Sequence, residues 1–222
     1  SLEYLLHFDI DKRNFTIVDV DEDGHKLQQY NRLLFCDSKK RIWAGGQMGI
    51  SVFNQVGTSL LPNTDFQIAS VLKQAFVNCF YETSSGYLWI GTRNGLFALK
   101  ESDKQFLQYT TENGLPSNVI YGILEDAYGR LWISTNQGLS CLNPESGKFR
   151  NFTIMDGLQG NQFNAGAYCR KDNGYMLFGG VNGITSFRPE TLIDNPYAPK
   201  PVINKLFVHN KEVLPDDETG IL

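Results

Sequence analysis

Residues 87–100 read YLWIGTRNGLFALK: a strand centred on Trp89, a tight turn at Asn94-Gly95, and a second strand. The phrase returns at Arg41–Asn54 (RIWAGGQMGISVFN), Arg130–Asn143 (RLWISTNQGLSCLN) and Tyr175–Arg188 (YMLFGGVNGITSFR). Trp43, Trp89, Trp132 and Leu177 are equivalent, at spacings of 46, 43 and 45 residues. Self-similarity at this period in an all-β pattern points to propeller blades.

The third repeat shows what one unit contains. Val119–Asp126, Leu131–Thr135, Leu139–Asn143 and Phe149–Thr153 read as strands, separated by turns rich in Gly, Asn and Pro. Those residues supply the fixed or positive φ that hairpins need. Helical periodicity is sustained nowhere. The fold class is therefore all-β, a β-propeller of about four and a half four-stranded antiparallel blades. Their predicted bounds are 1–20 for the half blade, then 30–65, 76–110, 119–153 and 161–188. In the last of these, Pro189 and the stretch Asp194–Pro201 (DNPYAPKP) interrupt the fourth strand.

The propeller reading thus covers 1–193. Residues 194–201 form a proline-rich linker, and 202–222 begin a following domain with one strand at Val202–Val208. The chain reads as starting inside a blade and as an arc of a larger, seven-bladed ring. A closed ring of four or five blades, completed by Leu2–Val20, is the alternative.

Composition narrows the function classes. The 222 residues are 41% hydrophobic and 13% aromatic, which suits a globular β protein. A net charge of −4 argues against a dedicated nucleic-acid surface. No run of 18 apolar residues crosses a membrane, and Ser1–Ile10 carries no signal-peptide pattern. Cys36, Cys79, Cys141 and Cys169 fall in no metal-ligand spacing, and His7, His25 and His209 are scattered outside the repeats. The cysteines read as small strand residues, with a disulfide framework or a metal site as the alternative; the scattered histidines argue against zinc, and no cofactor is expected.

One polar column stands out. Counting 11 residues back from each tryptophan reaches Arg32, Asn78 and Tyr121; counting three on from Asn161, the equivalent of Asn118, reaches Asn164. All four fall in one register of the innermost, channel-lining strand. Two readings fit: a level of the channel that binds sugar hydroxyls, or the wet lining that any propeller channel has. Arg93 is a fifth candidate, because the turn Arg93-Asn94-Gly95 does not require an arginine there. It would meet a carboxylate or sulfate. Like Gln47-Met48-Gly49, Asn136-Gln137-Gly138 and Val181-Asn182-Gly183, that turn shares a face with the loops Glu112–Asn118 and Asp156–Gln162. Tyr30, Tyr81, Tyr87, Tyr109 and Tyr128 read as packing or rim residues. A propeller glycosidase would need paired carboxylates at a fixed separation. Glu82, Glu125 and Asp126 instead sit beside turns and recur with the blade, as structural residues do, so no catalytic residue is assigned.

Gly114–Leu158, GLPSNVIYGILEDAYGRLWISTNQGLSCLNPESGKFRNFTIMDGL, closely resembles the two-component-regulator propeller repeat. The resemblance rests on Gly114-Leu115-Pro116-Ser117-Asn118, the run Asp126-x-x-Gly129-x-Leu131-Trp132-Ile133, and Gly138-Leu139. Gly86–Thr92 with Gly95-Leu96 repeats it. Gly179–Ile184 through Pro201-Val202-Ile203 is similar to the last blade and its exit into an immunoglobulin-like domain named for three tyrosines. The first repeat departs from the pattern: Arg41 is read as replacing the turn glycine, and no GLPSN phrase precedes it. The fourth has Leu177 for tryptophan.

The resemblance implies a hybrid two-component system of gut Bacteroidetes-type bacteria. Its periplasmic sensor has two seven-bladed propellers and the immunoglobulin-like domain. A transmembrane helix, histidine kinase, receiver and DNA-binding region lie elsewhere in such proteins. This chain would match the end of the second propeller. The implied ligand is an oligosaccharide, the implied function control of polysaccharide-utilisation genes, and the implied partner a second copy in the full-length homodimer. A protein-interaction scaffold and a glycan-degrading enzyme are the rival classes.

Overall fold

The computed structural model describes residues 5–10, 12–18, 31–47, 49–56, 59–63, 72, 75–103, 105–192, 205–209 and 211–213. Strands β1 (Leu5–Asp9) and β2 (Asn14–Val18) pair as a two-stranded unit, the predicted half blade. The first blade is β3 (Asn31–Cys36), β4 (Arg41–Gly46), β5 (Gly49–Val56) and β6 (Ser59–Pro62). The second is β7 (Val77–Glu82), β8 (Leu88–Thr92), β9 (Leu96–Lys100) and β10 (Gln105–Tyr109). The third is β11 (Ile120–Glu125), β12 (Leu131–Thr135), β13 (Gly138–Asn143) and β14 (Lys148–Phe152). The fourth has three strands among the described residues, β15 (Phe163–Arg170), β16 (Met176–Gly180) and β17 (Gly183–Phe187). All pairings are antiparallel and follow chain order. The linker 194–201 lies outside the described residues.

The chain divides into two compact units, Ser1–Pro189 and Glu190–Leu222. In the second, a single strand is expected at Val202–Val208; residues 202–204 lie outside the described residues, and Leu206–Val208 (β18) pairs with Lys211–Val213 (β19) as a hairpin. His209, at φ 50°, makes its turn.

The core lies between blades. Trp43, Ile50, Val77, Phe80 and Ile90 fill the first layer; Trp89, Leu96, Ile120, Ile133 and Leu142 the second; Trp132, Leu139, Phe163, Met176 and Phe178 the third. The second and third sheets are covered on both faces, so β8 and β12 are buried along their whole length. That is why LWIGT and LWIST are continuous runs rather than alternating ones. The three tryptophans are at most 1% exposed.

The first turn of each blade corrects one expectation. Gly86, Gly129 and Gly174 take φ of 80°, 74° and 84°, and Lys40 takes 62° in the same place. Lys40, not Arg41, replaces the glycine. A side chain in the left-handed region costs about 1 kcal/mol. Lys40→Gly is therefore expected to raise stability by about 0.5–1 kcal/mol in urea unfolding; a loss would mean that the lysine side chain is needed where it stands.

Candidate functional site

The four channel candidates all fall where the innermost strand slips against its partner. The shifts lie between Asn31 and Leu33, Val77 and Cys79, Ile120 and Gly122, and Phe163 and Tyr168. Arg32, Asn78 and Tyr121 are the extra residues of three one-residue bulges, and Asn164 opens a longer one. A bulge re-aims a side chain out of the ladder, which explains how one register carries polar groups among apolar neighbours.

Their surroundings differ. Asn78 is 7% exposed, and its Nδ2 donates to the Ile120 carbonyl at 2.7 Å. It is a strut from the second blade to the third, so its donor is spent inside the protein. Tyr121 is half-buried against the third core layer, and Asn164 is exposed. The side chain of Arg32 lies outside the described residues. Arg93 is exposed at its turn, with its guanidinium 3.7 Å from the centroid of the Phe76 ring. Stacking fixes the plane while leaving the N–H edges to point outward.

The loops of the same face are built by their own residues. Thr110 and Asn113 form a capping box around the 3-10 turn Thr111–Asn113, and Thr153 and Asp156 repeat it around Ile154–Asp156. Asn118 Oδ1 accepts from the Thr111 N–H at 2.9 Å, and Asn161 Oδ1 from the Ile154 N–H at 2.8 Å. The N–H of Gly95 donates to the Asn118 carbonyl, and that of Gly138 to the Asn161 carbonyl. The GLPSN phrase is thus a closure that ties each linking loop to the preceding blade.

The recurring carboxylates are tied up as well. Glu82 accepts from the Ser38 N–H and hydroxyl, both at 2.7 Å, and Glu125 from those of Ser84 at 3.3 and 3.4 Å. Each is a latch to the blade before it. Asp37, 5% exposed, accepts from the N–H groups of Lys39 and Arg41, the Arg41 Nε and the Trp43 Nε1. Asp126, 4% exposed, holds Tyr128, Arg130 and Trp132 in the same way. Glu101 joins the first two blades by pairing with Lys39 and Arg41. These groups line a pocket with Glu82 and Lys100, a salt-linked seam between blades.

Burial pushes the Asp37 carboxyl up, but hydrogen bonds from Trp43 and Arg41 outweigh it and hold it below the usual range. Glu101 is likewise pushed up by burial and brought lower overall by Lys39 and Arg41. A depressed folded value means stability that is present above the unfolded value, about 4, and lost as pH falls through the folded one. The urea midpoint is expected to hold steady from pH 7 to 5 and to fall below pH 4. A midpoint unchanged down to pH 2 would contradict it.

Burial pushes the Cys79 thiol up to about 12 and raises Tyr168 and Tyr81. Cys36 and Cys169 are exposed, Cys79 and Cys141 buried, and no disulfide joins them. Among the described residues, no group of three His, Cys, Asp or Glu is placed to hold a metal ion, and no helix is long and apolar enough to cross a membrane. Tyr81, Tyr87 and Tyr109 pack on the second core layer, while Tyr128 is 67% exposed. Tyr30 lies outside the described residues.

The long bulge of β15 was missed by the sequence reading. Its signal was available: Phe163 precedes Leu177 by two residues more than Ile120 precedes Trp132.

Comparison with known proteins agrees with this architecture. The family model described as two component regulator propeller matches residues 72–94 and 114–137, so the second and third blades carry its repeats. Histidine kinase P4 of Formosa agariphila is 28% identical over 225 residues, covering 98% of this chain and 16% of that protein. The chain thus spans about a sixth of that relative's length. Among solved structures, the extracellular domain of a hybrid two component system from B. thetaiotaomicron aligns with a TM-score of 0.71 and 24% identity, over 89% of this chain and 28% of that one. PorZ, a surface component of the type-IX secretion system of Porphyromonas gingivalis, aligns at 0.61 and 14%, over 85% and 30%. These likenesses establish the propeller fold.

Proposed function

We propose that this propeller, built of two-component-regulator repeats, is an extracytoplasmic ligand-sensing part of a hybrid two-component system. Its ligand would be an oligosaccharide derived from a glycan, and its output control of polysaccharide-utilisation genes. The observation that carries the reading is the alignment along 98% of this chain with a histidine kinase of which it spans 16%. Kinase chemistry would then lie outside this chain, whose recurring carboxylates serve as latches and clamps. The intact sensor would sit in the periplasm, held by an inner-membrane anchor, and work as a homodimer. A ligand signals only by binding two arrangements with different affinity, and a proline-rich stretch such as 194–201 would suit a stiff connector for such a shift.

The ligand contacts proposed are Arg32, Tyr121 and Asn164 at the channel, with Arg93 on the loop face. Asn78 braces the strand between them. Tyr121 also packs on the core, so deletion of its hydroxyl is the cleaner probe. Tyr121→Phe and Arg32→Ala are each expected to weaken oligosaccharide binding by about 1–3 kcal/mol in calorimetry on the full sensor, with the fold intact. A thermal-shift screen of that sensor against oligosaccharides tests the class. A shift without turnover supports sensing. Product release would make the protein an enzyme, and a shift with a protein partner alone would make it a scaffold.

A further inference from the structure

The fourth blade departs from the others at one end. In the first three, a single residue of the inner strand is left out of the ladder. In the fourth, the pairing jumps from Phe163↔Gly180 to Tyr168↔Phe178, leaving out 164–167. Asn164, Ala165 and Gly166 are exposed, and Gly166 takes φ 72°. Phe163, 1% exposed, and half-buried Tyr168 pin the two ends of the bulge. A pinned bulge presents its side chains at a fixed place.

Amides surround it. The carboxamide of Gln159 accepts from the Asn182 N–H at 2.8 Å and donates to the Gln162 carbonyl at 3.3 Å. The Gln159 N–H donates to Thr185 Oγ1 at 3.1 Å, and the Val181 N–H donates to the Gln162 carbonyl at 3.2 Å. This frame ties the linking loop to the β16–β17 turn and displays the exposed side chains of Asn161, Gln162, Asn164 and Asn182. Neither 157–169 nor 176–187 contains a charged residue, in a chain that is 20% charged.

We propose that this end of the fourth blade is a subsite for a neutral oligosaccharide, with Gln162, Asn164 and Asn182 pairing with its hydroxyls. A carboxamide presents two donors and an acceptor in one plane, which suits neighbouring hydroxyls that each donate and accept. Neither 157–169 nor 176–187 supplies a cation to replace the hydration that a sulfate or uronate would shed on binding. The subsite rests on the glycan-sensing reading and adds to it the charge class of the ligand.

Calorimetry on the intact sensor with maltohexaose, xylohexaose, mannohexaose, a chondroitin sulfate hexasaccharide and a hexagalacturonate is the test. At least one neutral hexasaccharide should bind, with an affinity that changes less than twofold between 50 and 500 mM NaCl. The double variant N164A/N182A should weaken it at least tenfold while the melting temperature stays unchanged, as expected for exposed side chains. Binding of only a charged probe would overturn the neutral subsite and leave the sensing reading standing. A neutral sugar bound equally well by N164A/N182A and by Gln162→Ala would place the sugar elsewhere and overturn the subsite alone. Binding of no probe would count against both.

Discussion

Asp126→Ala should lower the stability of the chain by about 4 kcal/mol, read as a fall in the urea midpoint. The carboxylate is 4% exposed and accepts four hydrogen bonds at 2.7–3.0 Å. Its removal leaves the Trp132 Nε1 and two backbone N–H groups without an acceptor, each orphan costing about 1–3 kcal/mol. Arg130 is 31% exposed and turns to water, so its share is small. Asp126→Asn should cost roughly half as much, because one oxygen remains while the new NH2 faces donors. Native stability is only about 5–15 kcal/mol, so the alanine variant should lose between about a quarter and four-fifths of it. A loss under about 1 kcal/mol would mean that water substitutes for the carboxylate and that the clamp is decorative.

The second blade shows what the clamp is for by lacking it. Thr83 stands where Asp37 and Asp126 stand, and Tyr87 where Arg41 and Arg130 stand. The Thr83 hydroxyl accepts from the Tyr87 N–H at 3.2 Å, but Trp89 Nε1 is buried with no hydrogen-bond partner among the described residues. The Trp89 ring packs against Tyr87 and Tyr109, at ring-centroid distances of 6.0 and 5.9 Å. The tryptophan survives the loss of its acceptor, so its apolar surface between two blades is the stronger reason for its presence. In the fourth blade Leu177 supplies apolar bulk at the same place.

How much of this was legible in the sequence depended on whether the cause was local. The blades were, because a strand sandwiched between two sheets must read as an apolar run and its turns must carry residues that accept positive φ. The polar register was legible as a position, because the distance from the tryptophan to the inner strand is constant in three blades. What Asn78 does there was not, since its partner is a carbonyl 42 residues away in the next blade. Lys40 in a left-handed turn gives no propensity signal, so Arg41 beside it reads from sequence as the departure. The β18–β19 hairpin has strands of three residues, too short for a period of two to show.

Gly122→Ala should cost about 3 kcal/mol, and the same residue should become harmless once Tyr168 is cut back. A Cβ at Gly122 would lie 2.2 Å from the Tyr168 Cδ1 and 2.7 Å from two more ring atoms. That ring belongs to the packing of both the second and third core layers. It lies close enough to Cys79 to have its ionisation suppressed by burial and by that thiol. β7, β11 and β15 therefore meet at this phenol, and the glycine is the gap it occupies. The ring is held from several sides, so it cannot swing away as an exposed side chain would. Tyr168→Ala alone should cost about 3 kcal/mol through the cavity it leaves. In the double variant, the methyl group enters space that the ring has vacated. The double variant should cost less than the sum of the two single costs by about 3 kcal/mol, a coupling that urea unfolding of the four proteins measures. Strict additivity would show that the ring yields freely to the methyl group. The central packing of these three inner strands would then be looser than the distances require.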